Sequence, residues 1–140
     1  MTLEPDEMLL FRNTLRITDG HLEEFTAAVR EAVDFVERNA PQVMVQTFVD
    51  ADRMLAYSYQ MYADSDAVLE HWRISENHIN AVSAHGTVVD FQVHGSPDER
   101  VLAGMRGMLD DGIAVVTPRI AGFVRPLSSD RAAACSRAER

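Results

Sequence analysis

From Leu9 to Ile17 the chain alternates, with Leu9, Phe11, Asn13, Leu15 and Ile17 on one side and Leu10, Arg12, Thr14 and Arg16 on the other. This period-two pattern predicts a strand with one apolar face. Asp19 and Gly20 supply a turn and a helix start. Leu22, Phe25, Ala28, Val29, Ala32, Val33 and Val36 then recur at helical spacing through Arg38, and Asn39-Ala40-Pro41 ends the helix. Two strands, Gln42 to Val49 and Met54 to Ala63, flank the polar turn Asp50-Ala51-Asp52-Arg53 and read as a hairpin. On the second, Leu55, Tyr57, Tyr59 and Met61 share a face.

Asp64-Ser65-Asp66 caps a second helix with the stripe Val68, Trp72, Ser75, Ile79 and Val82, and Gly86 lies beyond its end. A strand from Thr87 to Val93 follows. Gly95-Ser96-Pro97-Asp98 opens a third helix to about Leu109, because Pro is well suited to a first helical turn. The last strand is Ile113 to Thr117, with Ile120 to Arg125 either continuing it or forming a looped return. The order β-α-β-β-α-β, then α-β, predicts an α+β fold built on a ferredoxin-like split β-α-β unit. Its sheet is expected to be antiparallel, with both main helices on one face. A second copy is the economical cover for the other face, so a homodimer is expected.

Length and charge narrow the reading. The 140 residues suit one domain, expected over 9–125 between an N-terminal tail at 1–8 and a C-terminal tail at 126–140. The tail after Pro126 is Ala-rich and too short for strong intrinsic helicity. All 13 basic residues are Arg against 22 acidic residues, for a net charge of −9. A phosphate backbone is a poor partner for such a chain, so no nucleic acid is expected. Without Lys there is no Schiff-base or phosphate-loop lysine. The single Cys135 excludes an internal disulfide framework and a cysteine zinc cage. No stretch approaches the roughly 20 apolar residues of a membrane span. With no basic-then-apolar start from Met1 to Met8, cytoplasmic residence is expected.

Among candidate residues, Asn13 is the one polar side chain on the apolar face of its strand. It reads either as an amide satisfied by backbone at a strand irregularity or as a ligand contact able to stabilise an oxyanion. Trp72 faces the sheet, as core or as a wall for a flat ligand. Phe11, Tyr57, Tyr59 and Met61, with Met44 and Phe48, are candidates to line a pocket. His71, His78 and His85 recur every seven residues, which is about 10.5 Å of helix and too far for one ion, so no metal site is expected. His78 is the acid/base candidate. His21 and His94 are expected to be exposed.

Three stretches, "FRNTLRITDGHLEEFTAAV", "LAYSYQMYADSDAVLEHWRISENH" and "FQVHGSPDERVLAGM" followed by "GFVR", resemble the antibiotic-biosynthesis-monooxygenase-like group of the dimeric α/β-barrel superfamily. The resemblance implies pairing as a dimeric α/β barrel. Members include cofactor-independent monooxygenases acting on quinols or phenolic polyketides, haem-degrading oxygenases and polyketide cyclases. It also implies roles for an Asn on the first strand and a Trp on the second helix, which Asn13 and Trp72 match. The position of the haem-ligating His falls at Val82, with His78 and His85 to either side, which argues against a haem ligand and leaves haem binding as a further alternative. The resulting expectation is a monooxygenase without cofactor, using O2 on a small phenolic, quinol or anthrone-like substrate, with Asn13, Trp72 and His78 at its centre. A cyclase or isomerase in the same pocket, and a non-enzymatic binding or accessory protein, are the alternatives.

Overall fold

The computed structural model describes residues 7–125. The tail 126–140, with Cys135 and the Ala-rich segment, lies outside the described residues, as do residues 1–6 of the N-terminal tail. The elements are β1 (Leu9–Ile17), α1 (Leu22–Asn39), β2 (Met44–Asp50), β3 (Leu55–Tyr62), α2 (Ser65–Ile74), α3 (Glu76–Ser83), β4 (Gly86–His94), α4 (Glu99–Gly104), α5 (Arg106–Asp110) and β5 (Ala114–Thr117). The sheet order is β2-β3-β1-β4-β5. The first four strands pair antiparallel, as the split β-α-β unit requires. The fifth is parallel to β4, because α4 and α5 form a helical crossover that returns the chain in the same direction. The sheet is therefore mixed, a correction to the all-antiparallel expectation, and residues 120–125 form no further strand.

Two expected helices are broken. The second divides at Ser75, whose φ of −102° and ψ of 8° leave the helical range. Backbone bonds still run from Ser75 N–H to His71 and from Ile79 N–H to Ser75, so the helical period persists across the break and hides it in the sequence. The third divides at the buried Met105. Asp64 caps α2 by accepting from the Ala67 N–H at 2.9 Å, as its place before the apolar stripe predicts.

The core comes in two pieces on the helix-facing side of the sheet. One contains Leu9, Phe11, Tyr62, Val68, Phe91, Val93 and Val101; the other contains Leu15, Ile17, Phe25 and Ala56. Asn13 lies on β1 between Phe11 of the first and Leu15 of the second. Beside it, β3 contributes only Ser58, paired directly with Asn13. Short and polar side chains at this point leave the middle of α1 without close cover, and Val29, Ala32 and Val33 are only half-buried. A hollow results, where a close-packed interior would otherwise be expected.

Candidate functional site

The hollow between α1, α3 and the sheet has a volume of about 140 Å³, close to the roughly 150 Å³ of a cavity that accommodates benzene. Its apolar wall comes from α1 and α3, including Val29, Val33, Val36, Ile79 and Val82. Its polar wall consists of Asn13, Thr47, Ser58 and Gln60 from the strands, Gln42 from the connection before β2, and His71, Ser75 and His78 from the broken helix. No Asp, Glu or Arg lines it.

Asn13 Oδ1 is buried and has no hydrogen-bond partner. A strand irregularity does exist nearby, where the β1–β4 register shifts between Thr14 and Leu15. That shift does not satisfy the amide oxygen. The reading of Asn13 as an amide held by backbone is therefore not met at its oxygen, which is buried and unpaired in the wall of the cavity. A buried polar atom without a partner costs about 1–3 kcal/mol, which a ligand can recover.

His71 is 6% exposed and Ser75 is fully buried, with Ser75 Oγ 3.0 Å from His71 Nδ1. The break at Ser75 leaves its hydroxyl on the His71 ring. Burial lowers the His71 pKa from its ordinary 6.5 to about 4, so the ring is neutral at pH 7. As pH falls, the unfolded chain takes up this proton first. The associated stability is complete above about pH 6.5 and is lost as pH falls toward 4, by about 3 kcal/mol in total. Urea unfolding at pH 7 and pH 4.5 is expected to show a markedly smaller loss for His71→Gln than for the unsubstituted protein. Equal losses would place the His71 ring in water.

His78 also lines the cavity, with its ring 4.5 Å from that of Phe35. The remaining sequence candidates are placed elsewhere. Phe11 is buried in the neighbouring core piece, against Tyr62 and Phe91. Trp72 packs on that same piece and against Gly104 of α4, where a Cβ would stand 2.5 Å from the indole Cζ3. Only a glycine admits this approach. Tyr57 and Tyr59 line a shallow depression with Met44, Gln46 and Phe48, and Met61 lies beside Met8, Leu10 and His94 in a second groove. These three β3 residues alternate with Ala56, Ser58 and Gln60, so they point away from the helices. The expectation that Tyr57, Tyr59 and Met61 line one pocket with Trp72 is corrected, since these β3 residues lie on the far side of the sheet from the cavity and Trp72 is not among its lining residues.

His21 is half-buried rather than exposed, its Nδ1 3.0 Å from that of His85. His94 is likewise half-buried. Among the described residues, no three His, Cys, Asp or Glu side chains come together as a possible metal cluster. The cavity does not fit a haem: the macrocycle is several times larger than this space, and Val82 lines the wall where the haem resemblance requires an iron ligand.

His71, Ser75, Gln42 and Gln60 were not singled out from the sequence as site residues. A signal was present on β3, where Ser58 and Gln60 interrupt the helix-facing row of Ala56 and Tyr62 much as Asn13 interrupts β1.

No family profile matches the sequence, and no curated protein matches it. Solved structures do share its fold. MupZ from Pseudomonas fluorescens superposes with a TM-score of 0.66 at 18% identity, over 86% of this chain and 96% of its own. SnoaB, a cofactor-independent oxygenase from Streptomyces nogalater, gives 0.51 at 18% over 66% and 95%. An antibiotic biosynthesis monooxygenase candidate from Caulobacter crescentus gives 0.55 at 16% over 66% and 92%. The chain thus shares a ferredoxin-like α+β fold with these structures. At these identities the likeness is one of fold, and chemistry must be argued from the site.

Proposed function

We propose that the protein is a monooxygenase needing no cofactor, oxidising a phenolic or quinol ring held in the Asn13 cavity with O2. The observation that carries this reading is a largely apolar cavity of one-ring size with the Asn13 side chain in its wall. An anthrone-like substrate would have to extend through the cavity mouth. Asn13 accepts from the ring hydroxyl and, with its amide turned over, donates from Nδ2 to the oxyanion formed on deprotonation. His78 takes the proton. The neutral His71, held by Ser75, offers the ring no competing charge. The apolar wall excludes water from the anion, which then gives one electron to O2 before the radicals combine. For a quinol the balance is quinol + O2 → hydroxyquinone + water, with all four electrons coming from the substrate. In this reading Trp72 acts as packing support rather than as a wall of the site.

The chain acts in the cytoplasm as a homodimer, paired through the sheet face that carries Tyr57, Tyr59 and the 55% exposed Phe48. No helix among the described residues is long and apolar enough to cross a membrane.

Purified, chelator-treated protein given a panel of dihydroxybenzenes is expected to consume O2 well above the uncatalysed rate. Uptake equal to the protein-free control overturns the proposal. A second reading, cyclisation or isomerisation in the same space, is favoured by the two histidines on one cavity wall, which suit proton transfer without oxygen. Product formation under argon distinguishes it. If none of these reactions is accelerated, the non-enzymatic binding role remains.

A further inference from the structure

Outside the cavity, two histidine side chains meet at the end of the sheet where β1 runs into α1 and α3 runs into β4. His21 Nδ1 lies 3.0 Å from His85 Nδ1, although 64 residues separate them along the chain. Neither residue lines the cavity, and the reaction proposed above uses neither. The backbone holds both rings in place. Thr18 N–H donates to His85 O at 3.0 Å, His21 N–H to Thr18 O at 2.9 Å, and His85 N–H to Val82 O at 3.0 Å. A glycine flanks each histidine. Gly20 has a φ of 81°, a left-handed turn that glycine adopts freely. A Cβ on Gly86 would stand 3.0 Å from the Phe25 ring and 3.2 Å from Arg16 O, so glycine there lets β4 begin against the first turn of α1.

As they stand, one ring donates and the other accepts, which requires opposite tautomers. The ring centroids are 5.2 Å apart, so the rings meet nearly end to end, as an N–H···N bond requires. The same nitrogen separation suits another partner. Two nitrogens held about 2.0–2.1 Å from one ion, at close to a right angle, stand about 3 Å apart. Turning each ring by about 40° aims both lone pairs at an ion beside the N···N line. The donor ring then carries its proton on Nε2, and no net proton is lost. Both residues are half-buried, so water reaches the remaining positions, and no third His, Cys, Asp or Glu joins them among the described residues. Two imidazoles near a right angle, completed by water, suit tetragonal Cu2+ or Ni2+, and without a carboxylate they are poor ligands for Mg2+ or Ca2+.

We infer that His21 and His85 form a two-imidazole site for a divalent transition ion, Cu2+ or Ni2+, at the end of the sheet and outside the cavity. A bound ion ties the start of α1 to the connection after α3, the two helices that wall the cavity, and stabilises the folded chain by mass action. The site stands whether or not the cavity oxidises a quinol.

The test titrates untagged, chelator-treated protein with Ni2+ by calorimetry, where saturable binding is expected and Mg2+ is expected to give none. His21→Gln and His85→Gln should each weaken Ni2+ binding by about tenfold or more, since each removes one of two protein ligands. His94→Gln should leave it unchanged. With one equivalent of Cu2+, pulsed electron paramagnetic resonance of the unsubstituted protein should show coupling to two imidazole nitrogens, a signature that does not depend on either variant folding. Absence of saturable Ni2+ binding, a spectrum without two imidazole nitrogens, or undiminished Ni2+ affinity in folded His21→Gln and His85→Gln overturns the inference.

Discussion

Replacing Asn13 with Ala is expected to lower O2-dependent turnover of a dihydroxybenzene by about a hundredfold or more, the usual consequence of removing one preorganised oxyanion donor. The same substitution should leave unfolding free energy unchanged or raise it by about 1 kcal/mol. Its oxygen is buried and unpartnered, so removing the amide relieves a desolvation cost instead of breaking a bond. Activity and stability moving in opposite directions is the signature of a site residue retained at the expense of stability. Steady-state O2 uptake and urea titration on the same preparation check both. A variant destabilised by 2 kcal/mol or more with turnover intact would make Asn13 a structural amide.

Trp72→Ala is expected to behave in the opposite way. The indole packs on the cluster around Val68, Val93 and Val101 and against Gly104, and it is not among the residues lining the cavity. Truncating a large aromatic in such a place costs about 3 kcal/mol, the lower end of the core range because the ring is only half-buried. Hydroquinone affinity should stay within about twofold of the unsubstituted value at a temperature where the variant is folded. A tenfold loss of affinity with little change in stability would restore the indole as a wall of the site.

Where local periodicity and tertiary packing agreed, the sequence was legible. The alternation of β1, the apolar stripe of α1 and the cap at Asp64 predicted the frame to within a few residues. The breaks at Ser75 and Met105 were hidden because the apolar period runs through them. The parallel pairing of β5 was not readable, since a short edge strand carries no mark of its direction.

For the site, alternation alone exposed Asn13 as a misfit, and the same rule placed Tyr57, Tyr59 and Met61 on a face opposite to β3 residues 56, 58, 60 and 62. What the sequence lacked was the knowledge that β1's odd-numbered and β3's even-numbered residues share one side, which depends on register. His71 and His78 are seven residues apart, a spacing that argues against joint ligation of one ion from one helix. It does not reveal that both rings border one hollow.

The central claim is that an aromatic ligand enters the space between α1, α3 and the sheet. It is tested most directly by intermolecular nuclear Overhauser effects from the ring protons of hydroquinone, recorded without oxygen. Contacts to the methyl groups of Val33, Ile79 and Val82, with none to Met44 or Met61, are the predicted result. Contacts to Met44 and Met61, with Val33, Ile79 and Val82 silent, would contradict the account and move the site to the other face of the sheet.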